Sequence, residues 1–71
     1  MIKWGIVGLG NMANVFAHAI KDAENSQLIS IASKSNNKLD DFQSKFRIKK
    51  ENKFNDYKDL IKSENIDAVY I

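Results

Sequence analysis

Residues 2–20 read IKWGIVGLGNMANVFAHAI, and this stretch decides the fold. Ile2 to Val7 is an apolar run in which Lys3 is the only polar residue before the glycines. Such a run suits a strand covered on both faces of a parallel sheet. Gly8-Leu9-Gly10-Asn11-Met12-Ala13 follows, a G-x-G-x-x-A turn. Beyond it, Met12, Val15, Phe16, Ala19 and Ile20 fall at i, i+3, i+4, i+7 and i+8, which predicts a helix with one stripe facing a sheet. A glycine turn placed between strand and helix has the context that a dinucleotide-binding fingerprint requires. Gly8 lets the chain turn tightly off the strand. Gly10, without a Cβ, lets the backbone approach a pyrophosphate, and Ala13 is small enough for close helix–strand packing. The first N–H groups of the helix have no intrahelical partner and carry the positive end of its dipole, so they suit a diphosphate. The competing reading is a tight turn that binds nothing, and the flanking strand and helix weigh against it.

Length and composition narrow the function classes. Seventy-one residues lie near the lower limit for an independent domain and fall short of the two βαβαβ halves of a complete dinucleotide-binding fold. The expectation is therefore the N-terminal piece of a longer enzyme, with the rest of its cofactor domain and a substrate domain absent. With 44% hydrophobic and 28% charged residues the composition is that of a soluble globular protein. There is no cysteine, which excludes a disulfide framework and a thiolate metal site. A single histidine, His18, offers no metal-ligand cluster, and its place off the helical stripe points to a surface or packing role. No G-x-x-x-x-G-K-[ST] motif is present, which argues against a P-loop kinase or ATPase. No apolar run approaches a signal peptide or a membrane span, and a cytoplasmic location is the default. Net charge is only +2. The basic residues bunch at Lys45, Arg47, Lys49, Lys50 and Lys53 without the aromatic interleaving of a nucleic-acid patch, so they read as a solvated connection.

The remaining chain alternates strand and helix. Leu28 to Ala32 is a second strand, ending in the polar turn Ser33-Lys34-Ser35-Asn36-Asn37-Lys38. Asn37 is a candidate cap for a second helix from Lys38 to Phe46 with the stripe Leu39, Phe42, Phe46. Arg47 to Asn55 is polar and reads as a loop with a short extended piece at Lys53-Phe54. Asp56 caps a third short helix, with Tyr57, Leu60 and Ile61 facing inward, and Ala68 to Ile71 forms the third strand. The order βαβααβ predicts an α/β protein, the N-terminal part of a doubly wound parallel sheet of Rossmann type, stopping after the third strand. With strands two and three on one side of strand one, its other edge would lie open, an aggregation hazard. Marginal stability or self-association of the 71 residues follows from that arrangement.

The end of the second strand carries the cofactor preference. In this fold an acid about twenty residues past the glycines receives the adenosine ribose hydroxyls and selects NAD. No Asp or Glu stands between Asn25 and Lys38; Ser33, Lys34 and Ser35 stand there instead, with Lys38 close behind. An acid would repel a 2′-phosphate, whereas hydroxyls and ammonium groups bind it. Hydrogen bonds to a charged group contribute about 1.5–3 kcal/mol each, so two can shift the preference more than tenfold. NADP is favoured over NAD, against the alternative that S-K-S-N-N-K is merely a polar turn.

Three segments together carry a resemblance: IKWGIVGLGNMANVFAHAI, the strand with its S-K-S ending, and FNDYKDLIKSENIDAVYI. The chain resembles the Gfo/Idh/MocA family of oxidoreductases along essentially its whole length, and its opening looks like the dihydrodiol dehydrogenase and NADP-using sugar dehydrogenase members. The resemblance implies that Gly8, Gly10, Asn11, Met12 and Ala13 line the pyrophosphate and nearby ribose. It places Ser33 at the family's usual acid position, with Lys34 matching the basic residue of NADP-using members and Lys38 a lysine aimed at the 2′-phosphate. It also implies hydride transfer between NADP and a secondary hydroxyl of a sugar, cyclitol or diol, in a parent expected to form homo-oligomers. The catalytic lysine of the family's Glu-Lys-Pro motif would lie after Ile71, so no catalytic residue is assigned in this chain. Two alternatives share these features. A non-catalytic NAD(P)-binding sensor would have the same first sixty residues, and only the sequence after Ile71 separates it. An S-adenosylmethionine-binding domain uses a related turn but wants the acid that is missing at the end of strand two.

Overall fold

The computed structural model describes residues 1–63 and 65–71. Its elements are β1 (Ile2–Val7), α1 (Asn11–Asp22), β2 (Ser26–Ala32), α2 (Asn36–Phe46), a single 3-10 turn at Lys50–Asn52, β3 (Lys53–Phe54), α3 (Tyr57–Ile61) and β4 (Ala68–Tyr70). The four strands form one parallel sheet in the order β3-β2-β1-β4.

That order corrects the strand count. The short extended piece at Lys53-Phe54 is a true strand, pairing Ile31 with Lys53 and Ala32 with Phe54. The segment expected as the third strand is the fourth, and it crosses to the far side of β1, where Trp4, Gly5 and Ile6 pair with Ala68, Val69 and Tyr70. Strand one is therefore flanked on both edges, contrary to the open edge expected for it. A two-residue strand has no apolar period to reveal it; only its hydrogen bonds to β2 make it one. Asp67 fixes the entry into β4 from both sides: its carboxylate accepts the Lys3 N–H at 2.9 Å and its own N–H donates to the Lys3 carbonyl at 2.7 Å.

The helices divide between the two faces. Ile6 and Ile31 join Ala13, Ala17 and Ile20 of α1 and Leu39 and Phe42 of α2 in one buried cluster. Successive strand residues point to opposite faces, so Gly5 lies on the other side, under Leu60 of α3. A Cβ at Gly5 would come within 2.8 Å of the Leu60 side chain, and that close approach is why a glycine interrupts β1. Near this point the register slips: Trp4 pairs with Leu28 but Gly5 with Ser30, leaving Ile29 as a bulge. On the α1 face, Phe16 sets its ring edge-on to Trp4 at 5.0 Å and stacks on Tyr70 at 4.2 Å, which ties α1 to β1 and β4 together.

The α1 stripe is rotated from its expected phase. Ala13, Ala17 and Ile20 are buried and Phe16 is half-buried, while Met12 is 67% and Val15 63% exposed. The period of 3.6 stands, but the face that meets the sheet is the one with small residues, because alanine lets the helix axis come close. In α3 only Leu60 is buried, with Tyr57 and Ile61 about half exposed. A helix of five residues presents one anchor to the sheet. The second helix starts earlier than expected, with Ser35 rather than Asn37 as its cap: Ser35 Oγ accepts the Lys38 N–H at 3.4 Å. It ends with Arg47 in the left-handed region at φ 57°, and the Ile48 N–H closes back onto the Gln43 carbonyl at 3.0 Å. That 6→1 bond is the Schellman stop, and it drives Ile48 into the core beside Phe42.

Candidate functional site

All four strands run the same way, so the turns leaving β1, β2 and β3 gather at one edge of the sheet, where open α/β sheets bind ligands. The first turn is shaped by Gly8, whose φ of +83° belongs to the left-handed region, costly for any residue with a Cβ. Gly10 is different. Its φ is −95° and a Cβ there would meet nothing within 4 Å. Neither backbone nor packing within the chain requires a glycine at that position. The open space leaves room for a group to approach the backbone from outside. Gly10 is also the N-cap of α1, with no side-chain hydrogen bond to the helix and no acid in the first turn. The α1 N-terminus thus keeps its orphan N–H groups and its positive dipole end without a side chain to satisfy them. These features fit a dinucleotide pyrophosphate.

Two clefts flank this turn. The first, of about 160 Å³, is lined by Val7 and Gly8, by Ala32, Ser33 and Lys34, and by Asn55 and Tyr57. The second, of about 220 Å³, lies between the glycine turn and α2; Gly10, Asn11 and Asn14 face Lys38, Asp41 and Phe42 across it. The expected site residues are therefore divided, with Gly8, Ser33 and Lys34 around one cleft and Gly10, Asn11 and Lys38 around the other. Ala13 is 3% exposed and its methyl belongs to the core, so its part is packing. Met12 and Ser35 line neither cleft. Ser35 is occupied as the helix cap, and its N–H donates to Ser33 Oγ at 3.1 Å. Ser33 Oγ accepts that bond and still has its hydroxyl proton to donate. Among the described residues no carboxylate lines the first cleft, whereas Asp41 stands one helical turn from Lys38 in the second.

Asn55 and Tyr57 were not singled out by their sequence context. The only signal was an aromatic at the first position of a short helix, which reads equally well as core. His18 is exposed and its ring meets Phe46 edge-on at 5.1 Å. The basic cluster splits: Lys45 donates to Asn14 Oδ1 at 2.9 Å, Lys53 pairs with Asp40 at 2.7 Å, and Arg47 and Lys49 border a depression beside Lys3 at the opposite edge of the sheet. Among the described residues no group of acids and histidines could hold a metal ion, and no helix is long and apolar enough to cross a membrane.

A parallel sheet whose first strand turns through two glycines into an uncapped helix is a dinucleotide-binding Rossmann unit. The chain belongs to the Gfo/Idh/MocA family: the family model described as an oxidoreductase family with an NAD-binding Rossmann fold matches residues 2–71. It is 32% identical over 72 residues to mouse trans-1,2-dihydrobenzene-1,2-diol dehydrogenase, covering 99% of this chain and 21% of that protein. Scyllo-inositol dehydrogenase from Lactobacillus casei, solved with NAD(H) and scyllo-inositol, superimposes with a TM-score of 0.90 at 30% identity, covering all of this chain and 21% of that one. Myo-inositol 2-dehydrogenase from Lactobacillus plantarum superimposes with a TM-score of 0.82 at 28% identity, over 96% of this chain and 20% of that one. The chain thus spans about a fifth of the length of these relatives.

Proposed function

We propose that these residues form the cofactor-gripping part of a longer NADP-dependent dehydrogenase acting on a secondary hydroxyl of a sugar, cyclitol or diol. The observation that carries the NADP preference is the first cleft. Ser33 and Lys34 stand beside Gly8 at the sheet edge, no carboxylate among the described residues lines the cleft with them, and the Ser33 hydroxyl, which accepts the Ser35 N–H, keeps a proton to donate. A ribose hydroxyl pair asks for an acceptor there, and a 2′-phosphate asks for donors and positive charge. Lys38 adds a second ammonium group in the adjoining cleft, next to the positive end of α2.

The geometry supports a division of labour. The N–H groups at the start of α1 hold the pyrophosphate, Ser33 and Lys34 hold the ribose phosphate, and Ala13 keeps α1 close to the sheet so that both grips stay in register. When bound, the nicotinamide supplies the hydride chemistry. The residues here orient it and take no part in proton transfer. Support for the substrate class comes from the diol and inositol dehydrogenases to which the chain is similar.

A calorimetric titration with NADPH and NADH, with Lys34→Glu alongside, tests this reading. NADPH is expected to bind at least about tenfold tighter than NADH, with the gap lost in the variant. Equal affinities, or tighter NADH, would overturn the 2′-phosphate argument and leave the fold alone standing.

A further inference from the structure

The edge of the sheet opposite the glycine turn has no part in the reading above. There the first residues of β1 and β2 meet the stretch that follows α2 in a depression of about 220 Å³, lined by Lys3, Arg47 and Lys49 together with the side-chain amides of Gln27 and Asn52. All three cations stand on fixed backbone. Lys3 is held by its paired bonds with Asp67. The Schellman stop buries Ile48 and leaves its neighbours Arg47 and Lys49 exposed on either side of it. The Asn52 N–H donates to the Lys49 carbonyl at 2.9 Å, which closes the turn beyond them. Across the depression, the bulge at Ile29 bends β2.

Two features set this cluster apart from a solvated surface. Among the described residues no carboxylate lines the depression, and none of its three cations has an ion pair, whereas Lys53 of the same basic run is paired with Asp40. Like charges gathered without a counter-charge repel one another and work against the compact state. The second feature is the backbone at Arg47. Its φ of 57° makes it the one non-glycine residue in the left-handed region among those described. Glycine is the usual residue at that place after a helix, because a Cβ there is costly. An arginine is less stable there than a glycine would be, and it brings a guanidinium fork to the rim of the depression.

We propose that this depression binds a diphosphate group. The fork of Arg47 matches a pair of phosphate oxygens, and Lys3 and Lys49 act as point charges beside it. The amides of Gln27 and Asn52 can donate to the remaining oxygens. A diphosphate carries about as many negative charges as the site has cations. An acidic peptide fits less well, because neighbouring carboxylates on an extended chain point to opposite sides. The site lies at the other edge of the sheet from the cofactor turn and does not depend on the cofactor reading.

Nitrogen–proton correlation NMR of the full 71-residue chain, titrated with sodium pyrophosphate at constant ionic strength, tests this. Saturable shifts are expected at the amides of Lys3, Ile29, Ile48 and Lys49, followed separately from any at Gly8 to Ala13. Arg47→Gly is expected to weaken binding at the depression about tenfold, the size of one lost charge-assisted hydrogen bond. Its urea midpoint should hold or rise, since glycine suits the left-handed region, so the loss is not one of folding. Shifts at Gly8 to Ala13 should be the same in that variant, which separates failure here from failure of the cofactor reading. Methyl diphosphate distinguishes the two sources of the group: equal affinity supports an esterified diphosphate, and a clear fall supports a free one. Shifts at the depression that are absent or never saturate overturn the proposal, as does unchanged affinity in Arg47→Gly. Tighter binding of hexaglutamate than of pyrophosphate would give the depression to an acidic protein segment and overturn it too.

Discussion

Two helices leave the same edge of the sheet, and their first turns are built in opposite ways. At α2, Ser35 turns its hydroxyl back to accept the Lys38 N–H, so the chain itself satisfies part of the helix end. At α1, Gly10 occupies the same position with no side chain, no cap and open space around it. A serine, asparagine or aspartate at that position would stabilise the helix more, and without one the N–H groups stay available. The contrast teaches that an uncapped helix start at a ligand-binding edge is a feature of the site, while a capped one is a feature of the fold. The turn before α1 leaves its helix end open, and the turn before α2 closes its own.

The strongest way to break this contrast is to give α1 the cap it lacks. Gly10→Asp places a carboxylate where a pyrophosphate is expected, at a φ of −95° that aspartate adopts without strain. Dinucleotide affinity is expected to fall at least about a hundredfold, because juxtaposed like charges cost several kcal/mol. The urea midpoint should hold or rise slightly, since exchanging Gly for Asp at an N-cap is worth only about a few tenths of a kcal/mol. A protein that loses stability and affinity together would show that Gly10 serves the fold after all. Gly8→Ala is the next in size and reverses the pattern. Its Cβ would meet nothing, but φ +83° puts it in the left-handed region, so equilibrium unfolding should show a loss of about 1–2 kcal/mol. An unchanged midpoint would sink the backbone argument. The smallest effect is expected for Ser35→Ala, a loss of about 0.5–1 kcal/mol, at the low end because the capping bond is long. Nucleotide affinity should stay where it was; a tenfold fall would mean that Ser35 belongs to the site and not merely to the start of α2.

Much of this was legible in the residues, and the gaps have physical causes. The strand from Ile2 to Val7 and the helix after Gly10 were readable because a buried strand and an amphipathic helix both leave a period in the sequence. The phase of α1 was not. Met12 and Val15 are the more hydrophobic side chains, but Ala13 and Ala17 face the sheet, since closeness of approach and not hydrophobicity decides which face packs. Lys53-Phe54 carried no strand signal because two residues contain no alternation, and its pairing with Ile31 and Ala32 is a long-range fact. Tyr57 was expected inside, yet one buried leucine anchors α3 and the tyrosine ring remains at the cleft. Ser33, Lys34 and Ser35 stand out through the absence of an acid at the end of β2, whereas the cap that Ser35 supplies to α2 shows only in the structure.

The local chemistry was set by the sequence alone: two glycines and an alanine between a strand and a helix, no carboxylate where a ribose would want one, and alternation of elements that a parallel sheet requires. These are properties of neighbours along the chain, and short-range sterics and charge are enough to impose them. The tertiary structure decided which strand lies beside which, because the crossing of the last strand to the far side of β1 depends on contacts between residues some sixty positions apart, such as Asp67 with Lys3. It decided the contents of the cleft for the same reason. Tyr57 and Asn55 meet Gly8 and Lys34 only after the sheet has assembled, and a juxtaposition made across strands leaves no trace in the order of the residues.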